Sequence, residues 1–501
     1  MTTDIQDMHK QPPYGMIVIL FIGAFVAILN ETLLNVALPS IMEEFEVKPT
    51  SVQWLTNGYM LVNGILIPAS AFLIQRFTNR KLFLTAMTLF TLGTLLAAIS
   101  PTFSILLTAR LIQAAGSAVM MPLLMNVMLT AFPIEKRGTA MGTFGLVMIV
   151  APAIGPTLSG WIVEHYDWRT LFYIVFPISI ISLLIGIFKL KNVTPQRAIK
   201  LDVISIILSS FGFGGLLYGF SSAGDKGWDH PSVYITLIVG VIGVVALILR
   251  QLRMKDPMLE FRIFRYPMFA LSSAISVVLA MALFSGMILI PLYVQTIRGF
   301  TPFEAGLLML PGALVMGIMS PITGRLFDKF GARTLTVIGL IITGVTTYFF
   351  TQLDMKITIT SLMVIFAIRS FGMSMVMMPV MTNGLNQLPM DQNPHGTAMS
   401  NTLQQVSGAI GSALLITVMN SRTNAKAEAL AEEAMKNIDP SQVPTGAAAE
   451  QMQAEIMNEA MLHGINFSFF ISLLIIALAF ILALFIKRVG TDGKIITKEA
   501  K

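Results

Sequence analysis

Glu31 is the one acid placed deep inside an apolar run, the stretch from Met16 to Pro39. A carboxylate at that depth is costly unless it is paired, protonated or wetted, and such acids mark ion or proton pathways. Its natural chemistry is to take up and release a proton, and the plain alternative is a hydrogen bond that only packs two helices together. Arg110 and Arg369 are cations in similar surroundings. A guanidinium does not lose its proton, so each must face the protein interior and find a carboxylate, carbonyls or water. Either could instead be an interhelical clamp, or a side chain reaching for an interface. Chemistry of other kinds finds no residues to carry it. The chain has no cysteine and no H-E-x-x-H, G-x-G-D or phosphate-binding G-x-x-x-x-G-K-[ST] pattern, and the five histidines read as loop or tail residues. A membrane-embedded enzyme, the main rival from another class, therefore has no catalytic motif, and nothing suggests ATP hydrolysis, a metal or another cofactor.

The elements that must position these charges are membrane spans. Of 501 residues, 55% are hydrophobic and 12% charged, about half the charged fraction of a soluble protein, so lipid is the solvent. Spans fall at roughly 15–39, 51–74, 82–100, 102–129, 138–163, 170–189, 203–222, 232–249, 268–296, 303–323, 334–352, 358–381, 396–420 and 465–486. The first is too long for a signal peptide and reads as an uncleaved span. The fold class expected is all-α and membrane-integral, with fourteen transmembrane helices. The net charge of +6 is not a nucleic-acid patch, because the basic residues sit in short clusters between apolar runs. The tails and even-numbered loops hold nearly three times as many Lys and Arg as the odd-numbered loops, which predicts that both termini are cytoplasmic.

The chain repeats itself. Ser117 to Asn126 reads S-A-V-M-M-P-L-L-M-N, and Ser374 to Asn383 reads S-M-V-M-M-P-V-M-T-N; each follows its arginine. Gly138-Thr-Ala-Met141 recurs as Gly396-Thr-Ala-Met399, and Arg76-Phe-Thr-Asn-Arg80 corresponds to Lys329-Phe-Gly-Ala-Arg333. Two parallel six-helix halves, a known transporter design with its substrate site between them, are the simplest parse, at roughly 15–190 and 267–487 around an inserted helix pair at 201–250. Tails at 1–14 and 488–501 would be cytoplasmic. An external loop at 421–463, rich in Ala, Glu and Met, would form short helices around Pro440 and Pro444.

With these motifs in view, the chain resembles the fourteen-helix drug:proton antiporters of the major facilitator superfamily, the EmrB/QacA type. Gly324-Arg-Leu-Phe-Asp328-Lys-Phe-Gly331-Ala-Arg333 is similar to the family's cytoplasmic loop motif. Its first copy, with Arg76 and Arg80, is degenerate, since Gln75 stands where the family has Asp. Gly324, Asp328 and Arg333 are expected to hold a tight turn through an ion pair that breaks on opening, or else to form a solvated, charge-biased loop. Arg110, Gln113 and Gly116 resemble the fourth-helix motif; Gly142, Pro152, Gly155, Pro156 and Gly160 resemble the antiporters' fifth-helix motif. There Ala151, Gly155 and Ser159 form a small-residue stripe that permits close helix packing. Leu29-Asn30-Glu31-Thr32 through Asn35 to Pro39 resembles the first-helix motif, with the carboxylate moved from position 30 to Glu31.

The resemblance implies proton-driven export by alternating access, with Glu31 and Arg110 as the coupling pair and protons as the coupling ion. Asn30, Glu31, Asn35, Gln113, Asn126, Arg369 and Asn383 are the polar residues assigned to the substrate path. One central carboxylate suits neutral or monocationic amphiphiles, because a dication would bury an unpaired charge. Lincosamide-like molecules, dyes and biocides are the expected cargo, with an endogenous lipid or metabolite as the alternative. The expected setting is a bacterial cell membrane, as a monomer in contact with lipid and no nucleic acid.

Overall fold

A computed structural model describes residues 13–190, 192, 196, 202–437 and 447–489. The two tails, most of the 190–201 connection and the middle of the 421–463 segment lie outside the described residues. Within them, fourteen helices are long and apolar enough to cross a membrane. They are α1 (Tyr14–Glu44), α2 (Trp54–Arg76), α3 (Asn79–Ala98), α4 (Phe103–Ala131), α5 (Arg137–His165), α6 (Thr170–Lys189), α7 (Val203–Lys226), α8 (Pro231–Arg253), α9 (Pro267–Leu292), α10 (Pro302–Phe330), α11 (Ala332–Phe350), α12 (Ile359–Asn386), α13 (Asn393–Asn437) and α14 (Ala447–Ala483). Helices are the natural spanning form because they satisfy their backbone polar groups internally. Sequence punctuates their ends. Thr78 caps α3, Thr301 and Glu304 form a capping box on α10, and Gly331, at φ 79°, makes the turn into α11.

The segment expected to form short helices around Pro440 and Pro444 differs. Here α13 runs unbroken to Asn437, and α14 begins at Ala447. Both extensions are rich in Ala and Glu, residues that carry a helix past its membrane-spanning part. Three histidines expected in loops or tails also lie within helices: His165 at the end of α5, His395 in the first turn of α13 and His463 in α14.

Packing follows a repeating scheme. In the first six helices, α4 packs on α2 and α3, α1 on α5 and α6, and α3 on α6. In the last six, α12 packs on α10 and α11, α9 on α13 and α14, and α11 on α14. Adding eight to each label of the first set gives the second. The two sets meet along α5 with α10 and along α2 with α13, a pair of seams related by the same shift. The seams are built differently. Along the first, a β-carbon on Gly142 would strike the Ser320 carbonyl, and one on Gly324 would strike that of Gly138; Ser320 Oγ donates to Gly142 O at 2.7 Å. Along the second, α7 leans on both α2 and α13. Leu217 of α7 fills the space above Gly64, and Tyr218 stacks on Trp54 with ring centroids 5.8 Å apart. Trp228, just beyond α7, donates to Thr417 Oγ1 of α13 at 2.8 Å.

Candidate functional site

Arg110 is fully buried in α4, with 0% exposure. Its Nη1 donates to Gln113 Oε1 at 3.0 Å, and its Nε points to the Leu55 carbonyl at 3.4 Å. Gln113 is anchored in turn, donating to Thr94 Oγ1 of α3 at 2.8 Å. The guanidinium carbon lies 4.3 Å from the ring centroid of Tyr59, on α2. Glu31, on α1, is within Coulomb range of both Arg110 and Tyr59 and keeps part of its surface accessible. Among the described residues no direct ion pair joins Glu31 to Arg110. Three buried polar atoms nearby in sequence or space have no hydrogen-bond partner: Arg110 Nη2, Tyr59 Oη and Asn30 Nδ2. The cluster is thus a carboxylate with donors close by that are not committed elsewhere.

Arg369, the repeat-mate, is solvated by neutral oxygens of its own set. Its Nη2 donates to Ala282 O at 2.9 Å and Ser285 Oγ at 3.2 Å, and its Nε to Thr347 Oγ1 at 3.3 Å. The helix equivalent to α1 therefore offers hydroxyl and carbonyl where α1 offers a carboxylate. Other path residues are scattered. Asn383 donates to the Lys487 carbonyl at 3.1 Å, inside the last six helices. Asn126 is 2% exposed, next to core residues Met125 and Val127. The side chains of Asn35 and Pro156 lie outside the described residues. The fold brings together Glu31, Arg110 and Gln113, and leaves Arg369, Asn126 and Asn383 apart from them.

The small-residue positions of α5 serve two neighbours. Gly138, Gly142 and Gly160 face α10, the last against Phe303, whereas Gly155 faces Thr32 and Ser159 donates to the Leu33 carbonyl, both on α1. The helix runs unbroken through Pro152.

The loop motif departs from the expected ion pair. Asp328 accepts from Gly138 N and Thr139 N, each at 2.9 Å, and from Thr139 Oγ1 at 2.7 Å, so it caps the first turn of α5. The positive end of that helix takes the role expected of a side-chain cation. Arg333 is exposed, while Arg488 donates to the Asp328 carbonyl at 2.7 Å and closes the end of α10. Gln75 meets His395, at the first turn of α13, at 3.0 Å. Arg76 is exposed, and Arg80 holds the Ile187 carbonyl at 2.7 Å.

These latches share one end of the molecule, where a single apolar core joins the two sets: Met125, Leu129 and Phe144 pack with Met378, Leu385 and Met399. At the opposite end the cores are separate. Leu33, Ile41, Phe90 and Phe172 belong to one, and Leu289, Tyr293, Phe350 and Phe469 to the other. The sets share a core at the α2–α3 and α10–α11 loops, whereas at the α1–α2 and α9–α10 end their cores are separate and Gly160 of α5 rests against Phe303 of α10.

Tyr59 and the Gln75–His395 contact escape sequence reasoning. An aromatic in an apolar run carries the same signal as lipid or core packing, and Gln75 stood out only as a missing Asp.

This architecture has counterparts among known proteins. The family model for the Major Facilitator Superfamily matches residues 20–412. The chain belongs to this superfamily. The transporter is 55% identical over 418 residues to the MFS-type transporter YhcA of Bacillus subtilis, covering 83% of this chain and 79% of that one. It is 42% identical over 493 residues to the lincomycin resistance protein LmrB of the same organism, covering 98% and 99%. The human organic anion transporter MFSD10 shares the fold, with a TM-score of 0.62 at 13% identity over 93% of this chain and 99% of that one. The protein is a multi-pass membrane transporter, not an enzyme.

Proposed function

We propose that this transporter exports small amphiphilic molecules, lincosamide-like compounds among them, by exchanging them for protons across a bacterial cell membrane. One observation carries the reading: a partly accessible carboxylate, Glu31, stands in Coulomb range of a buried guanidinium to which it is not tied. A permanent ion pair would resist protonation, whereas an untethered acid answers to its surroundings. Desolvation favours its neutral form, and a nearby cation its ionised form. Rocking of two six-helix halves about the inserted pair α7–α8 changes which influence dominates. The acid then loads a proton on one side and releases it on the other.

The basic loops favour the cytoplasmic side for the shared-core end, with the Asp328 and Gln75 latches, which leaves the two separate cores toward the outside. Proton loading is expected in this state. The 42% identity to a lincomycin resistance protein over nearly the full length supports the cargo class. A susceptibility panel in an efflux-deficient host tests it, using lincosamides, monocationic dyes and biocides with wild type and Glu31→Gln at matched expression. The expected result is a severalfold rise in tolerance to some of these with wild type alone. Unchanged tolerance throughout would contradict drug export and favour an endogenous lipid or metabolite as cargo.

A further inference from the structure

We propose that Tyr59 is the positioning residue of the coupling site, its ring carrying Arg110 and its hydroxyl serving, with Arg110 Nη2, as a donor to the ionised Glu31. This rests on Glu31 being the proton-coupling group. Tyr59 is 0% exposed on α2, under the Arg110 guanidinium of α4 and within Coulomb range of Glu31 on α1. Among the described residues no carboxylate pairs with Arg110 directly, and the Tyr59 ring beneath it, at 4.3 Å, joins Leu55 O and Gln113 Oε1 in supporting its charge. The phenol lies beside Ser117, a weak contact to a hydroxyl whose own proton goes to Asn63 Oδ1 at 2.9 Å or the Ala114 carbonyl at 3.1 Å. Tyr59 Oη makes no hydrogen bond of ordinary geometry among the described residues.

Arg110 has placed two of its three nitrogens, Nε on Leu55 O and Nη1 on Gln113 Oε1, and left Nη2 without an acceptor. Two buried donors on adjacent helices thus lack an acceptor, an arrangement that is costly to keep. Both are in Coulomb range of the same carboxylate, which when ionised accepts several hydrogen bonds at once. Losing the Glu31 proton recruits them, and regaining it releases them. From the other helices packed on α1, nothing charged competes at this depth. α5 presents Gly155 and Ser159, and the charged residues of α5 and α6 (Arg137, Glu164, His165 and Lys189) lie at the helix ends. Arg369 supports the contrast. It meets three neutral oxygens and, among the described residues, stacks on no aromatic ring, and α9, the counterpart of α1, carries no acid.

The test is cargo-driven proton movement in proteoliposomes as a function of pH, for wild type, Tyr59→Phe, Tyr59→Leu and Glu31→Gln. Tyr59→Phe removes only an oxygen that makes no hydrogen bond of ordinary geometry, so it should fold and transport at alkaline pH. The midpoint of its pH–rate profile should move to higher pH by about one unit, the effect of one charge-assisted hydrogen bond lost to the ionised acid. Tyr59→Leu, which also removes the ring, should be slower than Tyr59→Phe by about tenfold or more at equal folded protein. A Tyr59→Phe profile superimposed on wild type, while Glu31→Gln is uncoupled, would overturn the role of Tyr59 and leave that of Glu31 intact. Equal rates for the Phe and Leu variants would overturn the support given by the ring. Coupling that survives Glu31→Gln would remove the reading beneath both.

Discussion

Arg110 and Arg369 occupy equivalent places in the two repeats, yet their surroundings assign them different work. Arg369 has carbonyl and hydroxyl acceptors on α9 and α11; an ammonium can take part of that set. Arg110 depends on a planar fork that spans Leu55 O and Gln113 Oε1 over an aromatic face, a geometry lysine does not reproduce. Arg110→Lys should therefore abolish coupled transport, whereas Arg369→Lys should keep a measurable rate, by cargo flux at matched expression. Equal losses would show that the two arginines serve the same purpose. A third charge site lies at the far end of α1, around Glu44. Hydrogen bonds from Arg169, and one from Trp168 Nε1 at 2.6 Å, hold the Glu44 carboxylate below its ordinary range. A lowered carboxylate value adds stability above the ordinary range and loses it as pH falls through the lowered value. Since Glu44 is 38% exposed, the gain is at most about 1 kcal/mol. Melting in detergent should drop on acidification, with a shallower drop in Glu44→Gln. The sequence displayed Glu31, Arg110 and Arg369 because charge in an apolar run has an obvious cost. It hid Tyr59, whose ring suits lipid, core and cation equally, and it hid which arginine lacks an acceptor, which only the neighbouring helices decide.

Helix–helix seams depend on which residues are small. Gly138 and Gly324 bring α5 and α10 together so closely that a side chain on either meets backbone. Backbone cannot yield as a flexible side chain can, so Gly324→Leu should insert but not transport, and cross-linking between α5 and α10 at this level should fall. Normal transport by that variant would show that the closed seam is not a working state. The second seam relies on α7, which is fitted to α2 by Leu217 over Gly64 and the Trp54–Tyr218 stack, and to α13 by the Trp228–Thr417 hydrogen bond. If α7 travels with the first six helices, a disulfide between cysteines placed at 54 and 218 should be tolerated, and one between 228 and 417 should block turnover. The reverse result would attach α7 to the last six. The native chain has no cysteine, so such pairs read cleanly. Repeats and apolar runs were legible because spans need length and duplication preserves order. The caps were not. Asp328 serving the α5 N-terminus and Gln75 meeting His395 join residues far apart in the chain, and no spacing rule connects them. The helical extensions of α13 and α14 were partly legible, since their composition favours helix while the two prolines suggested interruption.

Across the whole molecule, one end is joined by a shared core and the other is not, which is what alternating access requires of a single resting state. Orientation decides which solution reaches Glu31. Lys356, exposed between α11 and α12, lies at the end opposite the shared core, so a cysteine there should react with an impermeant reagent on intact cells. Labelling only after permeabilisation would invert the topology. Given that orientation, each proton carried inward gains about 2.3 kcal/mol per 100 mV of membrane potential, enough to move cargo uphill when exchange is obligatory. Glu31→Gln keeps the size and hydrogen bonding of the side chain but cannot titrate. The decisive measurement places this variant and wild type in vesicles with an imposed pH gradient, and follows an internal pH dye together with cargo flux. Wild type should show proton movement that starts with cargo and cargo movement that stops with the gradient. Glu31→Gln should show neither, although the protein is folded and inserted. Cargo-dependent proton movement at the wild-type rate in Glu31→Gln would contradict the account and place the coupling proton on another group.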